Sequence, residues 1–243
     1  MAKTKQMSKP RNVAGKTETK PTAKQRGAGS NGRSLLIGGT IAGVAVLIAV
    51  FVIVIAPLLK SGGAGAFNYS SFPMLGNKAA PVKIVEFGDF KCPACKYFHD
   101  NVFPQLKAQY IDNGVVQFYF ANFPFIGPDS TTAAIAGEAI FHQNPAAFWD
   151  YYNAIYTHQE NEQTDWATPS FLVNLARTYV PGINYQKLAQ EIADNAYSAN
   201  VTADYQAGTR AGVDSTPTLF INGHKFLNFS DWPALQAAIA QYK

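Results

Sequence analysis

The 25 residues from Leu35 to Leu59, LLIGGTIAGVAVLIAVFVIVIAPLL, carry no charge, whereas the rest of the chain mixes apolar and polar positions at the periods of strands and helices. About 20 such residues cross a bilayer as a helix, so residues 34–60 are expected to form one transmembrane anchor. Ala64-Gly65-Ala66 offers a small-residue cleavage site, but the apolar core of a cleaved signal spans about 7–15 residues, and this run is longer. Val82-Lys83-Ile84-Val85-Glu86-Phe87 has apolar residues on both faces, the pattern of a buried central strand, with Glu86 the exception. Cys92 to about Tyr110 has Phe98, Val102, Leu106 and Tyr110 at helical spacing, and Pro104 is expected to kink that helix. Val115–Phe120 reads as a second strand.

Between Gly127 and Arg210 the period becomes helical, with cuts at Asn144-Pro145, Gln163 to Pro169 and Pro181-Gly182, which predicts four or five short helices. The last of the repeating sets is Tyr185, Leu188, Ile192 and Ala196. Thr218–Ile221, Asn222-Gly223 and Lys225–Leu227 form a hairpin signal, and a final helix capped by Ser230 or Asp231 runs to about Gln241. Setting aside the helical block leaves the order strand, helix, strand, then strand, strand, helix.

Charge changes the picture at one end. Residues 1–33 hold nine Lys or Arg against the single acid Glu18, a net of +8, so the remainder carries +4 minus +8, or −4. The basic character belongs to the tail, and nothing supports a nucleic-acid-binding face on the rest. The tail lacks large apolar residues and is expected to be disordered. Its charge ahead of the span places the N-terminus in the cytoplasm and everything from Ser61 outside. Residues 61–75, rich in Gly, Ala and Ser, read as a linker, with folding starting near Gly76 to Pro81.

The only two cysteines, Cys92 and Cys95, stand three apart where the first strand gives way to its helix. On a first helical turn such a pair faces one way, within the roughly 5.5 Å between α-carbons that a disulfide needs. The free N–H groups and the dipole of the helix start favour a thiolate at Cys92. A structural disulfide or half of a zinc site is the plain alternative, although His99, His142, His158 and His224 show no ligand spacing. Pro93 suits a first helical turn, Ala94 adds no polar group, and Lys91 and Lys96 either support a thiolate or are simply solvated. Asp89 and His99 read as surface residues, and Phe125, Trp149, Tyr151 and Tyr152 read as core rather than as a groove.

Cys92-Pro93-Ala94-Cys95 after the Val85–Phe90 segment, Asn122-Phe123-Pro124, and Ser215–Gly223 together resemble the DsbA-like thiol:disulfide oxidoreductases of the thioredoxin superfamily, in the membrane-anchored form of Gram-positive-type bacteria. The resemblance covers about Gly76 to Lys243 and implies an α/β fold, a thioredoxin domain (76–127 and 209–243) interrupted by a helical domain (128–208) and preceded by one transmembrane helix. It implies that Cys92 is the attacking or attacked sulfur, that Cys95 resolves, and that Pro93 and Ala94 tune the pair. It also places a cis-proline at Pro217 beside the dithiol, leaving the backbone of Thr216 to pair with an extended substrate. Glu86 falls where this superfamily commonly holds a buried acid, and it shares a face with Val82 and Ile84; a strand-end carboxylate paired with Lys83 or Lys91 is the alternative.

No cofactor beyond a Cys92–Cys95 redox disulfide and no metal are expected. The implied partners are cysteine-containing extracytoplasmic proteins and a membrane reoxidation partner of the DsbB or vitamin K epoxide reductase type. The lipid bilayer is met through residues 35–59. A reductase or isomerase is the nearest rival activity, and a metal-carrier or chaperone module is the rival from another class.

Overall fold

The computed structural model describes residues 67–243; the basic tail and the expected anchor at 35–59 lie outside the described residues. Among the described residues no helix is long and apolar enough to cross a membrane. Five strands make one mixed sheet in the order β1-β3-β2-β4-β5, with β1 Met74–Leu75, β2 Val82–Gly88, β3 Val116–Asn122, β4 Thr218–Ile221 and β5 His224–Phe226. β2 and β3 run parallel, pairing Glu86 with Phe120 and Gly88 with Asn122, and β4 joins β2 antiparallel. Both central strands are covered on two faces, which explains their apolar runs.

The helix expected from Cys92 to Tyr110 is divided. α1 spans Pro93–Asn101, the ladder breaks at Val102, and α2 spans Phe103–Leu106 with Pro104 in its first turn, followed by a π-turn over Lys107–Ile111. Proline has no N–H to donate and is tolerated at a helix start, so the chain restarts rather than bending through it. After β3 come α3 Pro128–Gln143, α4 Ala147–Thr157, α5 Pro169–Tyr179, α6 Tyr185–Ala193 and α7 Ser198–Arg210, and α8 Trp232–Ala240 closes the chain. Asn222 and Gly223, at φ 48° and 84°, form the two-residue turn between β4 and β5. Asp231 caps α8 by accepting from the Ala234 N–H at 3.0 Å.

Two expectations need correcting. Residues 67–75 are not linker: Phe67 and Phe72 are buried, and Met74–Leu75 pairs with Tyr119 and Phe118. Phe67 and Phe72 cover the sheet face made by Val85, Phe87, Tyr119 and Phe220, which would otherwise be exposed. The periodic set ending at Ala196 also stops early: α6 ends at Ala193, Asn195 adopts a left-handed φ of 51°, and Ala196 lies in the turn before a separate helix, α7. α7 escaped the pattern because it packs through small residues. At Gly208 a Cβ would lie 2.7 Å from Phe123 Cδ2, so the close approach of α7 to the sheet requires glycine.

The larger core lies on the opposite face, where Val82, Ile84, Phe118, Phe120 and Leu219 meet α1, α2, α4 and α8. Polar ties fasten the helical block to the sheet. Lys91, next to the first cysteine, is buried against Asp129 of α3 and donates to the Thr164 carbonyl at 2.9 Å. Asn122, at the end of β3, donates its side-chain amide to Glu138 Oε1 of α3 at 2.8 Å and to Asp204 Oδ2 of α7 at 3.0 Å.

Both ties yield measurable consequences. Asp129→Ala leaves the Lys91 ammonium buried without its counter-charge and is expected to cost about 3–5 kcal/mol, read as the shift of the urea-unfolding midpoint. Burial, then the charge of Asp204, pushes the Glu138 carboxyl up to about 8, and burial pushes Asp204 up to about 6. An unfolded chain ionises both near pH 4, so the folded protein holds extra protons between there and about pH 8, and stability falls as pH rises through that window. Glu138→Gln keeps the oxygen that accepts from Asn122 and has no proton to lose. The variant is therefore expected to lose less unfolding free energy than the parent between pH 5 and pH 8, and equal losses would exclude Glu138 as the group responsible.

Candidate active site

The parallel pair β2–β3 ends at Gly88 and Asn122, and the chain leaving β2 turns through Asp89 to Lys91 before α1 begins. Asp89 shapes that turn and is buried, not a surface residue as its polarity suggested. Its Oδ1 accepts from the Lys91 N–H at 2.8 Å, its Oδ2 accepts from the N–H groups of Phe125 and Ile126 at 2.9 and 3.1 Å, and its carbonyl accepts from the Cys92 N–H at 3.0 Å. One carboxylate thus holds the cysteine turn against the loop that follows β3. Lys91 is likewise buried rather than solvated.

Cys92 occupies the N-cap position of α1, with extended φ and ψ of −73° and 120°, Pro93 in the first turn, and no side chain capping the helix. Both cysteines are free thiols, and both are buried, Cys92 at 6% exposure and Cys95 at 0%. The Thr216–Pro217 peptide is cis, and the Thr216 carbonyl accepts from Cys92 Sγ at 3.3 Å. Two loops distant in sequence therefore meet at the first thiol.

The pair is electrostatically unequal. The Cys92 thiol is lowered to about 6, chiefly by a hydrogen bond from Cys95, then, against the cost of burial, by neighbouring Thr216 and the backbone N–H groups of Cys95 and Ala94. Cys95 is raised well above the usual thiol range, first by burial, then by its hydrogen bond and proximity to Cys92 and by the charge of Glu86. A helix start supplies donors to the outer sulfur and apolar surroundings to the inner one.

Glu86 lies fully buried on β2. The alternative of an ion pair is not found: Lys91 serves Asp129, and the Lys83 ammonium sits 4.4 Å from the Tyr69 ring centre. The Glu86 Oε2 accepts from the Tyr152 hydroxyl at 2.8 Å, and Oε1 has no partner among the described residues. Burial, opposed by the Tyr152 hydrogen bond, raises this carboxyl to about 8.

The structure thus brings Cys92, Cys95, Glu86, Pro93, Ala94, Thr216 and Pro217 to one end of the sheet. It adds Gln159, which pattern alone did not single out, and gives Lys96 a partner. Gln159, just after α4, donates to the carbonyls of Phe90 at 2.8 Å and Cys92 at 3.1 Å, and the Lys96 ammonium donates to the Tyr156 carbonyl at 2.7 Å. Gln159 carries no sequence signal, because it acts through backbone carbonyls distant in sequence, while Lys96, read as thiolate support or a solvated charge, instead serves the Tyr156 carbonyl and Asp100. Trp149, Tyr151 and Tyr152 are buried, while Phe125 is half exposed. His99 is half buried, its ring 5.4 Å from that of Tyr156 and 5.5 Å from that of Tyr152.

The thioredoxin family model matches residues 70–241. A probable disulfide bond formation protein D of Bacillus anthracis is 39% identical over 207 residues, covering 84% of this chain and 94% of that protein. Disulfide bond formation protein D of Bacillus subtilis is 34% identical over 167 residues, 69% of this chain and 75% of that protein. The crystal structure of oxidised BdbD from Bacillus subtilis superposes with a TM-score of 0.69 at 32% identity, covering 72% of this chain and 94% of that one. Chlamydia trachomatis DsbA gives 0.65 at 26% identity, covering 72% and 93%. The five-stranded mixed sheet with its helical insertion is accordingly a thioredoxin-like fold, and this chain belongs to the thioredoxin superfamily as a DsbA-like protein thiol:disulfide oxidoreductase.

Proposed function

We propose that the protein introduces disulfides into secreted or surface proteins through Cys92 and Cys95, held outside the cytoplasm by an anchor at residues 35–59. We assign residues 67–127 and 209–243 to the thioredoxin-like domain and 128–208 to the insertion. The observation that carries the reading is the opposition within the pair, Cys92 brought down to about 6 and Cys95 pushed far up at one helix start.

A substrate thiolate attacks Sγ of Cys92 in the oxidised pair, the Cys92–Cys95 bond breaks, and a mixed disulfide forms on Cys92. Cys95 leaves as a thiolate and takes a proton from Glu86, whose buried carboxyl still holds one near neutral pH. The second substrate thiolate attacks the substrate sulfur of the mixed disulfide and expels Cys92 as a thiolate, which its low proton affinity makes a good leaving group. The substrate loses two electrons and the cysteine pair gains them. Pro93 and Ala94 leave the helix N–H groups free for the Cys92 sulfur, and Thr216 with Pro217 borders it.

Stabilising the thiolate stabilises the reduced pair, so the same observation favours an oxidant over a reductase. The reduced pair must then be reoxidised, and a quinone-linked membrane protein of the DsbB or vitamin K epoxide reductase class fits that need. The charge asymmetry on either side of residues 35–59 supports an external catalytic domain, a compartment in which disulfides persist.

Equilibration of the protein with glutathione buffers tests the direction. A potential toward the oxidising end of the range of about −270 to −120 mV supports the reading, and one near −270 mV would reverse it. Stoichiometric zinc or copper binding without oxidation of a reduced, unfolded protein would favour a metal carrier instead. Cys95→Ala is expected to accumulate mixed disulfides between Cys92 and client proteins, recovered from cells by non-reducing electrophoresis. Their absence, with the variant folded and present, would overturn the assigned roles.

A further inference from the structure

Glu86 is a carboxyl at 0% exposure with no cation within ion-pair distance among the described residues. Its one hydrogen bond comes from Tyr152, a residue of the helical insertion. Tyr152 is itself fully buried, with the rings of Phe103, Phe120, Trp149 and Tyr156 centred 5.0–5.5 Å away. Such packing leaves the hydroxyl a single direction, and burial together with the neighbouring Glu86 charge holds it far above its usual titration range, so it remains a donor at working pH. The other carboxyl oxygen, Oε1, is buried without a partner among the described residues.

We propose that Tyr152 is a positioning residue for the exchange reaction: by donating to Oε2 of Glu86 it stabilises the carboxylate left after proton release and leaves Oε1 as the atom that carries and surrenders the proton. This rests on the reading of Glu86 as proton donor to Cys95. The proton moves from Glu86 to the departing Cys95 sulfur as the Cys92–Cys95 bond breaks, and returns when Cys95 next attacks; Tyr152 neither gains nor loses one.

The hydrogen bond has a defined sense. It favours the ionised acid, in opposition to the desolvation that favours the neutral one, so it keeps Glu86 near the range where a proton can be exchanged. The other titratable groups in this neighbourhood are Cys92, Cys95, His99 and Asp100 of α1, Asp89 of the preceding turn, and Tyr156 of α4. None of these donates a hydrogen bond to the Glu86 carboxyl; among the described residues Tyr152 alone does.

The test uses the full-length protein in detergent and follows the Glu86 side-chain carboxyl by carbon NMR across pH, in parallel with the pH–rate profile for oxidation of a reduced dithiol peptide. Tyr152→Phe removes only the hydroxyl and is expected to raise the Glu86 midpoint by about one pH unit, the scale of one hydrogen bond to a charged group. The corresponding inflection of the rate profile should move the same way. Glu86→Gln should remove the inflection, and adding Tyr152→Phe to it should change the rate no further. Placing 3-fluorotyrosine at position 152, a stronger donor of nearly the same shape, should move the midpoint down, which keeps the test decisive if the phenylalanine variant fails to fold. A Glu86 midpoint unmoved in either folded variant overturns the proposal. If the parent protein does not oxidise the peptide, the proposed function fails, while the NMR titration still decides the role of Tyr152.

Discussion

A carboxyl group buried beneath two thiols, with no cation among the described residues to neutralise it, is the constraint around which this protein is arranged. Glu86 sits on the central strand because β2 is covered on both faces, so no position near its end reaches solvent. Ionising it there is expensive, and ionising Cys95 beside it more so, since each charge opposes the other. The consequence is a site that can carry one proton on either group but resists holding two negative charges. In the proposed mechanism that property serves thiol exchange, because the leaving inner sulfur is neutralised where water does not reach.

Burial of that kind demands walls, and the helical insertion supplies most of them. The insertion contacts the cysteine segment through Lys91 to Asp129, Gln159 to the carbonyls of Phe90 and Cys92, Lys96 to the carbonyl of Tyr156, and Tyr152 to Glu86. Three of these four ties use charged or amide groups on backbone carbonyls or on a buried counter-charge. Each is strong only while water is excluded, so the aromatic packing and the polar ties depend on one another. The insertion is in this sense part of the active site and not an appendage beside it.

The features legible in the sequence were those with a local cause. The strand Val82–Phe87 shows its double burial in its apolar run, the turn at Asn222-Gly223 declares itself through residues that tolerate positive φ, and Asp231 announces the last helix. The dithiol came from a motif, and Pro217 and Glu86 from the family resemblance, with the face that Glu86 shares with Val82 and Ile84 as support. What escaped had causes remote in sequence. Phe67 and Phe72 look like linker until a sheet face needs covering, and α7 has too few large apolar residues to display a period because close approach selects small ones. Asp89 and Lys91 look like solvated charges until Phe125, Ile126 and Asp129 arrive to satisfy them.

The two cysteines also show how little of a site's chemistry resides in its motif. Cys92 and Cys95 are chemically identical and one helical turn apart, yet one is favoured as a thiolate and the other as a thiol. Pro93 and Ala94 contribute mainly by absence, since neither offers a side chain that would compete for the helix N–H groups that the outer sulfur accepts. The inner sulfur is set first by burial and then by Cys92 and Glu86, and Glu86 is itself raised by burial against a hydrogen bond from Tyr152, on a helix that begins 52 residues after Cys95. A motif with the same four residues on a sheet whose lower face reached solvent would retain the donors to the outer thiol and lose the burial that raises the inner one.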